Sequence, residues 1–493
     1  MTTLLERAKK GLVWNAAFNV FRDMLGLVVM LVLVRLLDPA QYGEFALVTA
    51  VIGFVSVFSQ QNFLAYTLQV RDEQDVHYQC HFTAGGLIQL AMFVITNLVA
   101  IGLRFVDSYS EIAPLVHVMS IVFLLEWPCE LRLKMLERSL DWRRLRLLHA
   151  AGLIASSIVA ITMGLLGAGV YALLLPGLLV TLPFIFDLFV LQRWRPTWEW
   201  NREQYMPAIR FGLMRLSSGL IGRSRRLIES GVVVYVLGFS SAGLLERAIS
   251  LGLMFCQRIA LQVMYTLYPV MTKLKPGTDE YRRAGSVLIQ GITWFTIPVA
   301  TLLAILAAPV VHTVYGGRWD DVVPLVPAAV ILGGVAAVFH IIYMLLLGHN
   351  EERRCVNADL WELCGTLAAL YFLLPRGLME YLVGLLVVRI AVLSYGIFWL
   401  IRCGAIRREA LSKALFPAIA ASGFGYLVCG GAVAMTGWSV QNPLMAVAYG
   451  VVFLILYIVT LRVVFSDALF DLVKYLPGNK LLGRFLLVSE SPA

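Results

Sequence analysis

Apolar runs of about twenty residues recur some fourteen times along this chain, and that recurrence restricts the fold more than any other feature. A run of this length crosses the hydrocarbon core of a bilayer as a helix. The runs fall near 12–37, 42–70, 82–104, 112–131, 147–167, 169–191, 208–237, 242–271, 286–312, 322–348, 358–374, 378–401, 414–436 and 443–465. The expected fold is therefore an all-α polytopic membrane protein with about 14 transmembrane helices. At about 20 residues per span the spans take up about 280 of 493 residues, so loops and tails average about 14 each. That leaves no room for an extramembrane catalytic domain. Composition agrees: 59% of residues are hydrophobic and 14% charged, against about 45–50% and 25% in soluble domains. The first run is too long, and too polar in its middle, for a cleaved signal peptide, and is expected to be retained as a span.

The net charge of +9 follows from 40 Lys and Arg against 31 Asp and Glu. Counting span-end residues with the adjoining loop, 28 basic residues fall in the tails and even-numbered loops. Three (Arg104, Arg318, Arg376) fall in odd-numbered loops, and nine lie within spans. This asymmetry predicts both termini on the cytoplasmic side. It also makes the basic balance a matter of topology, with no nucleic-acid partner implied. None of the seven cysteines falls in an external loop, so a disulfide framework is not expected. His77, Cys80 and His81 have metal-like spacing, but with no further ligand cluster they read as interfacial polar residues, and no metal site is assigned.

The chain repeats itself at an offset of about 200 residues. Tyr66-Thr67-Leu68 returns as Tyr265-Thr266-Leu267, and Gly43 near the start of the second span corresponds to Gly243 near the start of the eighth. Six spans separate the copies. The repeat predicts two pseudo-symmetric six-helix lobes (1–200 and 201–405), the arrangement of carriers with a central site. The remainder (406–493) holds two additional helices and a cytoplasmic tail, with 467–487 a candidate interfacial helix.

Polar residues inside the spans carry the functional reading. Arginine at the bilayer centre costs about 2.5–3.5 kcal/mol on insertion scales, so it should face a cavity or a partner. At 100° per residue, Asn15, Asn19, Arg22 and Gly26 lie within about 60° on the first span, with Asp23 beside them. On the second span Thr49, Ser56, Ser59, Gln60 and Thr67 share about 100°. On the eighth, Arg247, Arg258, Gln262 and Tyr265 lie within about 60°. The seventh carries Arg215, Arg223, Arg225 and Arg226, with Glu229 placed to pair with Arg225. Arg35, near a helix end, reads as a snorkelling residue. A cavity richer in Arg than in acid suits an anion, because guanidinium grips phosphate bidentately and stays charged at depth.

The intramembrane acids are Asp23, Glu126, Glu130, Asp187, Glu229, Asp359 and Glu362. Each is either a counter-ion to an arginine or a proton or cation site. Asp23, Asp187 and Asp359 are the candidates for ion coupling, the ion being proton or sodium if transport is coupled at all. No cofactor is implied. Pro128 and Pro298 predict kinks in the fourth and ninth spans.

Three segments carry a family likeness. LVRLLDPAQYGEFAL (33–47) resembles the R-x-L-x-P-x-x-Y-G signature of bacterial polysaccharide transporters, the O-antigen and exopolysaccharide flippases of the multidrug/oligosaccharidyl-lipid/polysaccharide exporter superfamily. LKMLERSLDWRRLRLL (133–148) resembles the family's basic cytoplasmic linker, and VYGGRWDDVVPLVPAAVILGG (314–334) its G-x-x-W turn. In LGFSSAGLLERA (237–248), Leu follows the helix-opening Gly where an aromatic is usual, and the Glu246-Arg247 pair is unusual. The resemblance implies a flippase of the bacterial inner membrane, working by alternating access on a polyprenyl-pyrophosphate-linked glycan. Arg22 and Arg258 would contact pyrophosphate, as cavity arginines of these spans do in the wider superfamily, with Arg226 and Arg247 as further candidates. Asn15, Asn19 and Gln60 would bind sugar hydroxyls, assisted by Gln262 and Tyr265. Membrane lipids, a polysaccharide polymerase and export machinery are the implied partners, and the carrier is expected to work as a monomer. The alternatives are a membrane glycosyltransferase, polymerase or ligase, for which Asp320-Asp321 supplies an acidic pair, and a drug exporter of the same superfamily.

Overall fold

The structure is a computed structural model that describes residues 2–70, 76–257, 261, 271, 274–436 and 443–475. Among these residues there is no strand, and 13 helices are long and apolar enough to cross a membrane. They are α1 (Trp14–Leu36), α2 (Pro39–Phe58), α3 (Tyr78–Leu103), α4 (Asp107–Arg138), α5 (Trp142–Leu165), α6 (Tyr171–Leu191) and α7 (Gly219–Gln257). Then follow α8 (Asp279–Ile305), α9 (Gly317–Gly348), α10 (Glu352–Arg376), α11 (Leu378–Arg402), α12 (Arg408–Ala432) and α13 (Leu444–Val464). The difference from fourteen lies at 242–271. Its described part continues α7, and the rest, apart from Leu261 and Met271, lies outside the described residues. Two elements are in fact joined in α7: the helix breaks at Gly238, whose φ of 81° suits glycine and few other residues.

The chain forms two compact units, Met1–Gly243 and Leu244–Ala493, whereas the repeat placed a boundary at 200/201. In the first unit α1 packs on α5, and α4 lies between α3 and α6. Residues 202–243 belong here as well: the Tyr109 hydroxyl donates to the Gly231 carbonyl (3.0 Å), and Gly212 lies flat against Phe63. In the second unit α8 packs between α9 and α12, and α11 packs on α9 and α10. The two helices expected as additions, α12 and α13, join this unit's core. The Trp294 indole donates to the Ala414 carbonyl (3.0 Å), and the Tyr457 hydroxyl donates to the Trp294 carbonyl (2.8 Å).

Local chemistry accounts for the signature motifs. Asp38 is the N-cap of α2, Pro39 its first residue, and the Gln41 side chain accepts from the Asp38 N–H (3.1 Å) in a capping box. The helix thus restarts at Pro39 and not at Gly43. Gly43 serves instead as a close approach, its α-carbon lying against the Phe239 carbonyl. Gly316, with φ of 83°, opens the second glycine turn, and it delivers Trp319 into full burial 5.8 Å from the Tyr315 ring.

Candidate functional site

On α1 the expected polar face carries a side chain from another helix. Arg146, in the first turns of α5, donates through Nε to the Asn15 Oδ1 at 2.6 Å, and its guanidinium stands 5.0 Å from the Phe18 ring centroid. Two turns along α1 from Asn15, Arg22 is bonded through Nε to Asp23 Oδ1 at 3.1 Å. The Arg22 side chain keeps 41% of its accessible surface. A guanidinium half open in mid-span is too costly to leave in hydrocarbon, so its position calls for water or a polar ligand. Asn19, between the two, is half-buried. Phe18 is buried and separates the stripe from His149, whose ring lies 5.6 Å from Phe18 and 4.7 Å from Phe184. The product is a short row of two cations, two amides and one acid on the first unit, with donors that match a doubly charged oxyanion.

Other expected site residues lie elsewhere. The polar stripe on α2 is turned into the first unit: the Thr49 hydroxyl donates to the Phe45 carbonyl (2.8 Å) and the Ser56 hydroxyl to the Gly53 carbonyl (2.8 Å). Such hydroxyls satisfy themselves on their own helix and need no solvated face. Gln60 is 1% exposed, and its amide NH₂ donates to the carbonyls of Glu126 (3.1 Å) and Trp127 (2.6 Å). We assign Gln60 to bracing α4 beside Pro128 in place of the sugar contact. Arg226 is exposed, while Arg225 faces Glu229 at 3.8 Å as an internal pair. Arg247 is buried within the second unit. Arg258, Gln262 and Tyr265 lie outside the described residues.

Asp187 is wholly buried between two arginines, Arg132 at 2.5 Å and Arg144 at 2.6 Å. That makes it the counter-ion of a triad tying α4, α5 and α6 together, in place of a coupling group. Asp359 accepts from the Tyr343 hydroxyl at 3.3 Å, and one turn on Glu362 pairs with Arg389 of α11 at 2.6 Å. His81 is buried against the Tyr205 ring at 5.2 Å, and Asp320 of the external acidic pair faces His312 at 3.0 Å.

Sequence reasoning missed Arg146. It sits one residue before the run at 147–167 and was counted with the topology charges. Its signal was position: at 100° per residue Arg146 and His149 share a face of the fifth span, and a charge one turn into a helix can point along it.

A bundle of long apolar helices with arginines on a partly open helix face defines a polytopic membrane protein of the kind that includes polysaccharide transporters. The chain belongs to the polysaccharide biosynthesis protein family, whose model matches residues 32–324. It is 21% identical over 355 residues (70% of each chain) to the lipopolysaccharide biosynthesis protein WzxC of Escherichia coli K12. It is 21% identical over 308 residues (62% of each) to the succinoglycan biosynthesis transport protein ExoT of Rhizobium meliloti. Among solved structures its fold resembles that of the lipid II flippase MurJ in an inward closed conformation. The TM-score is 0.72 at 12% identity, covering 93% of this chain and all of the other.

Proposed function

We propose that this chain flips a polyprenyl-pyrophosphate-linked oligosaccharide across the bacterial inner membrane by alternating access, for surface polysaccharide or exopolysaccharide biosynthesis. The observation that carries the reading is the row Asn15, Asn19, Arg22 and Arg146 along one face of α1, with the Arg22 guanidinium partly open. Two guanidiniums supply bidentate donors for pyrophosphate oxygens, and the neighbouring amides supply donors and acceptors for sugar hydroxyls. Arg258, Arg226 and Arg247 are the further candidates for the phosphate end, with Gln262 and Tyr265 beside them. The polyprenyl tail stays in lipid, so only the charged head needs a polar path. Both termini lie in the cytoplasm, following the charge asymmetry of the loops. The chain acts as a monomeric carrier and forms no bond in its substrate. The relatives named for lipopolysaccharide and succinoglycan biosynthesis and the fold shared with a lipid II flippase support this class of cargo.

The test is a proteoliposome assay with a fluorescent polyprenyl-pyrophosphate-linked N-acetylglucosamine, read by accessibility of the sugar to an added galactosyltransferase. Wild-type protein should equilibrate the probe between leaflets and leave its mass unchanged until the transferase is added, and Arg22→Ala and Arg146→Ala should slow this by about tenfold or more. Wild-type rates in both variants would overturn the site, and a new glycosidic product formed before the transferase is added would overturn the carrier reading.

A further inference from the structure

Glu126 and Glu130 stand one helical turn apart on α4, on either side of Pro128. Lacking an N–H, Pro128 leaves a carbonyl of the preceding turn without its helical donor, a standard cause of a kink. Neither carboxylate forms an ion pair with Arg or Lys among the described residues, and Glu130 Oε2 is buried without a hydrogen-bond partner. Asp187, by contrast, is held by two arginines. An acid pair deep in a membrane helix without a counter-cation calls for another explanation.

Two amides supply it. Gln89 of α3 is 0% exposed and lies against the Glu126 carboxyl, yet neither its amide oxygen nor its amide nitrogen completes a hydrogen bond. Gln60 holds α4 beside Pro128 through its NH₂, and its buried Oε1 is left open against Gly85, one turn from Gln89. Leaving both ends of the Gln89 amide uncommitted is costly, since a buried unmet polar atom costs about 1–3 kcal/mol. An amide beside a titrating acid keeps both ends in reserve: NH₂ donates to the carboxylate, and the amide oxygen accepts from the protonated acid.

We propose that Glu126 and Glu130 form a proton-binding site, its two protonation states served by Gln89, and that its occupancy biases the bend at Pro128 during transport. Coupling to transport rests on the carrier reading above; the binding of a proton does not. The step is the addition of one proton to a carboxylate oxygen from one side of the membrane and its loss to the other. On the same helix the nearby ionisable groups are Cys129, Lys134 and Glu137, with Lys134 already bonded to Glu137 at 2.7 Å. From α3 come Gln89 and His81, and from α6 Asp187, neutralised by Arg132 and Arg144. From α5 come Arg146, bonded to Asn15, and His149, stacked on aromatic rings. None of these arginines or lysines forms an ion pair with Glu126 or Glu130, so neither carboxylate is locked in its charged form by a cation.

The experiment is a pH-difference infrared spectrum of the full-length protein in lipid, read at the carbonyl band of protonated carboxyl groups. Wild-type protein should show a band that titrates. Glu126→Gln and Glu130→Gln should each remove a component, and Gln89→Leu should shift the Glu126 component. A spectrum of the folded Glu126→Gln/Glu130→Gln double variant superimposable on wild type would overturn the site. So would a wild-type band that answers to sodium and not to pH. Glu126→Asp keeps the acid and should keep a titrating band, which guards against loss through misfolding. In cells of the native host, both Gln variants should lower surface-glycan export by about tenfold or more at equal membrane abundance, and wild-type export would overturn the coupling. Arg22→Ala should lower export and leave the band unchanged. Full export in Arg22→Ala beside an intact band would overturn the carrier site while leaving the proton site standing.

Discussion

Gly43 and Gly243 pack against each other's helix start reciprocally: a side chain on Gly43 would strike the Phe239 carbonyl, and one on Gly243 would strike the Pro39 carbonyl. Residues 39 and 239, like 43 and 243, are separated by the repeat offset, so the contact has the form of an isologous interface. Each glycine is there because a neighbouring backbone occupies the place of its Cβ. Gly43→Ala or Gly243→Ala should therefore cost about 1–3 kcal/mol through backbone displacement. The measurement is the thermal unfolding midpoint in detergent. Gly26→Ala, which meets open space within a helix, is the control and should leave the midpoint undiminished or slightly raised.

Asn15 and Arg146 should be coupled. Their 2.6 Å bond involves a charged donor, a class contributing about 1.5–3 kcal/mol. In a double-mutant cycle on flipping rate, Asn15→Ala should cost much less when Arg146 is already alanine. Strict additivity would mean that the two act apart, and would remove Arg146 from the site.

How far the sequence could reach is visible in three residues. Arg22 stood out because hydrocarbon penalises a mid-span charge whatever the packing, and its side chain does keep 41% of its accessible surface. Gln60 was expected on the cavity because helical spacing tells which residues share a face and not what covers it; α4 covers that face, and its Glu126 and Trp127 carbonyls hold the amide. Arg146 was passed over because a basic residue at a span end satisfies the topology rule as well as a site does. The span positions, by contrast, needed only length and apolarity, and only the stretch past Gln257 is left outside the comparison.

Bracing by Gln60 has its own consequence. Gln60→Leu leaves the Glu126 and Trp127 carbonyls without their side-chain donor and should destabilise the first unit by about 1–3 kcal/mol. The unfolding midpoint should fall while the concentration of lipid-linked probe giving half-maximal flipping stays at its wild-type value. A raised half-maximal concentration with an unchanged midpoint would restore the sugar-contact role.

The buried triad of Arg132, Asp187 and Arg144 distinguishes a structural charge from a transport charge. Taking the carboxylate away leaves two guanidiniums facing each other out of water, and breaking a buried pair in this manner costs about 3–5 kcal/mol. Asp187→Ala should accumulate poorly in the membrane and unfold early in detergent. Replacing the ionic set with apolar residues of similar volume, as in Arg132→Met/Asp187→Leu/Arg144→Met, removes the uncompensated charge and should recover much of the lost abundance. Flipping per molecule should recover in parallel, because on this reading Asp187 holds α4, α5 and α6 together and carries no ion. Recovered abundance with flipping still absent would place Asp187 in the transport cycle.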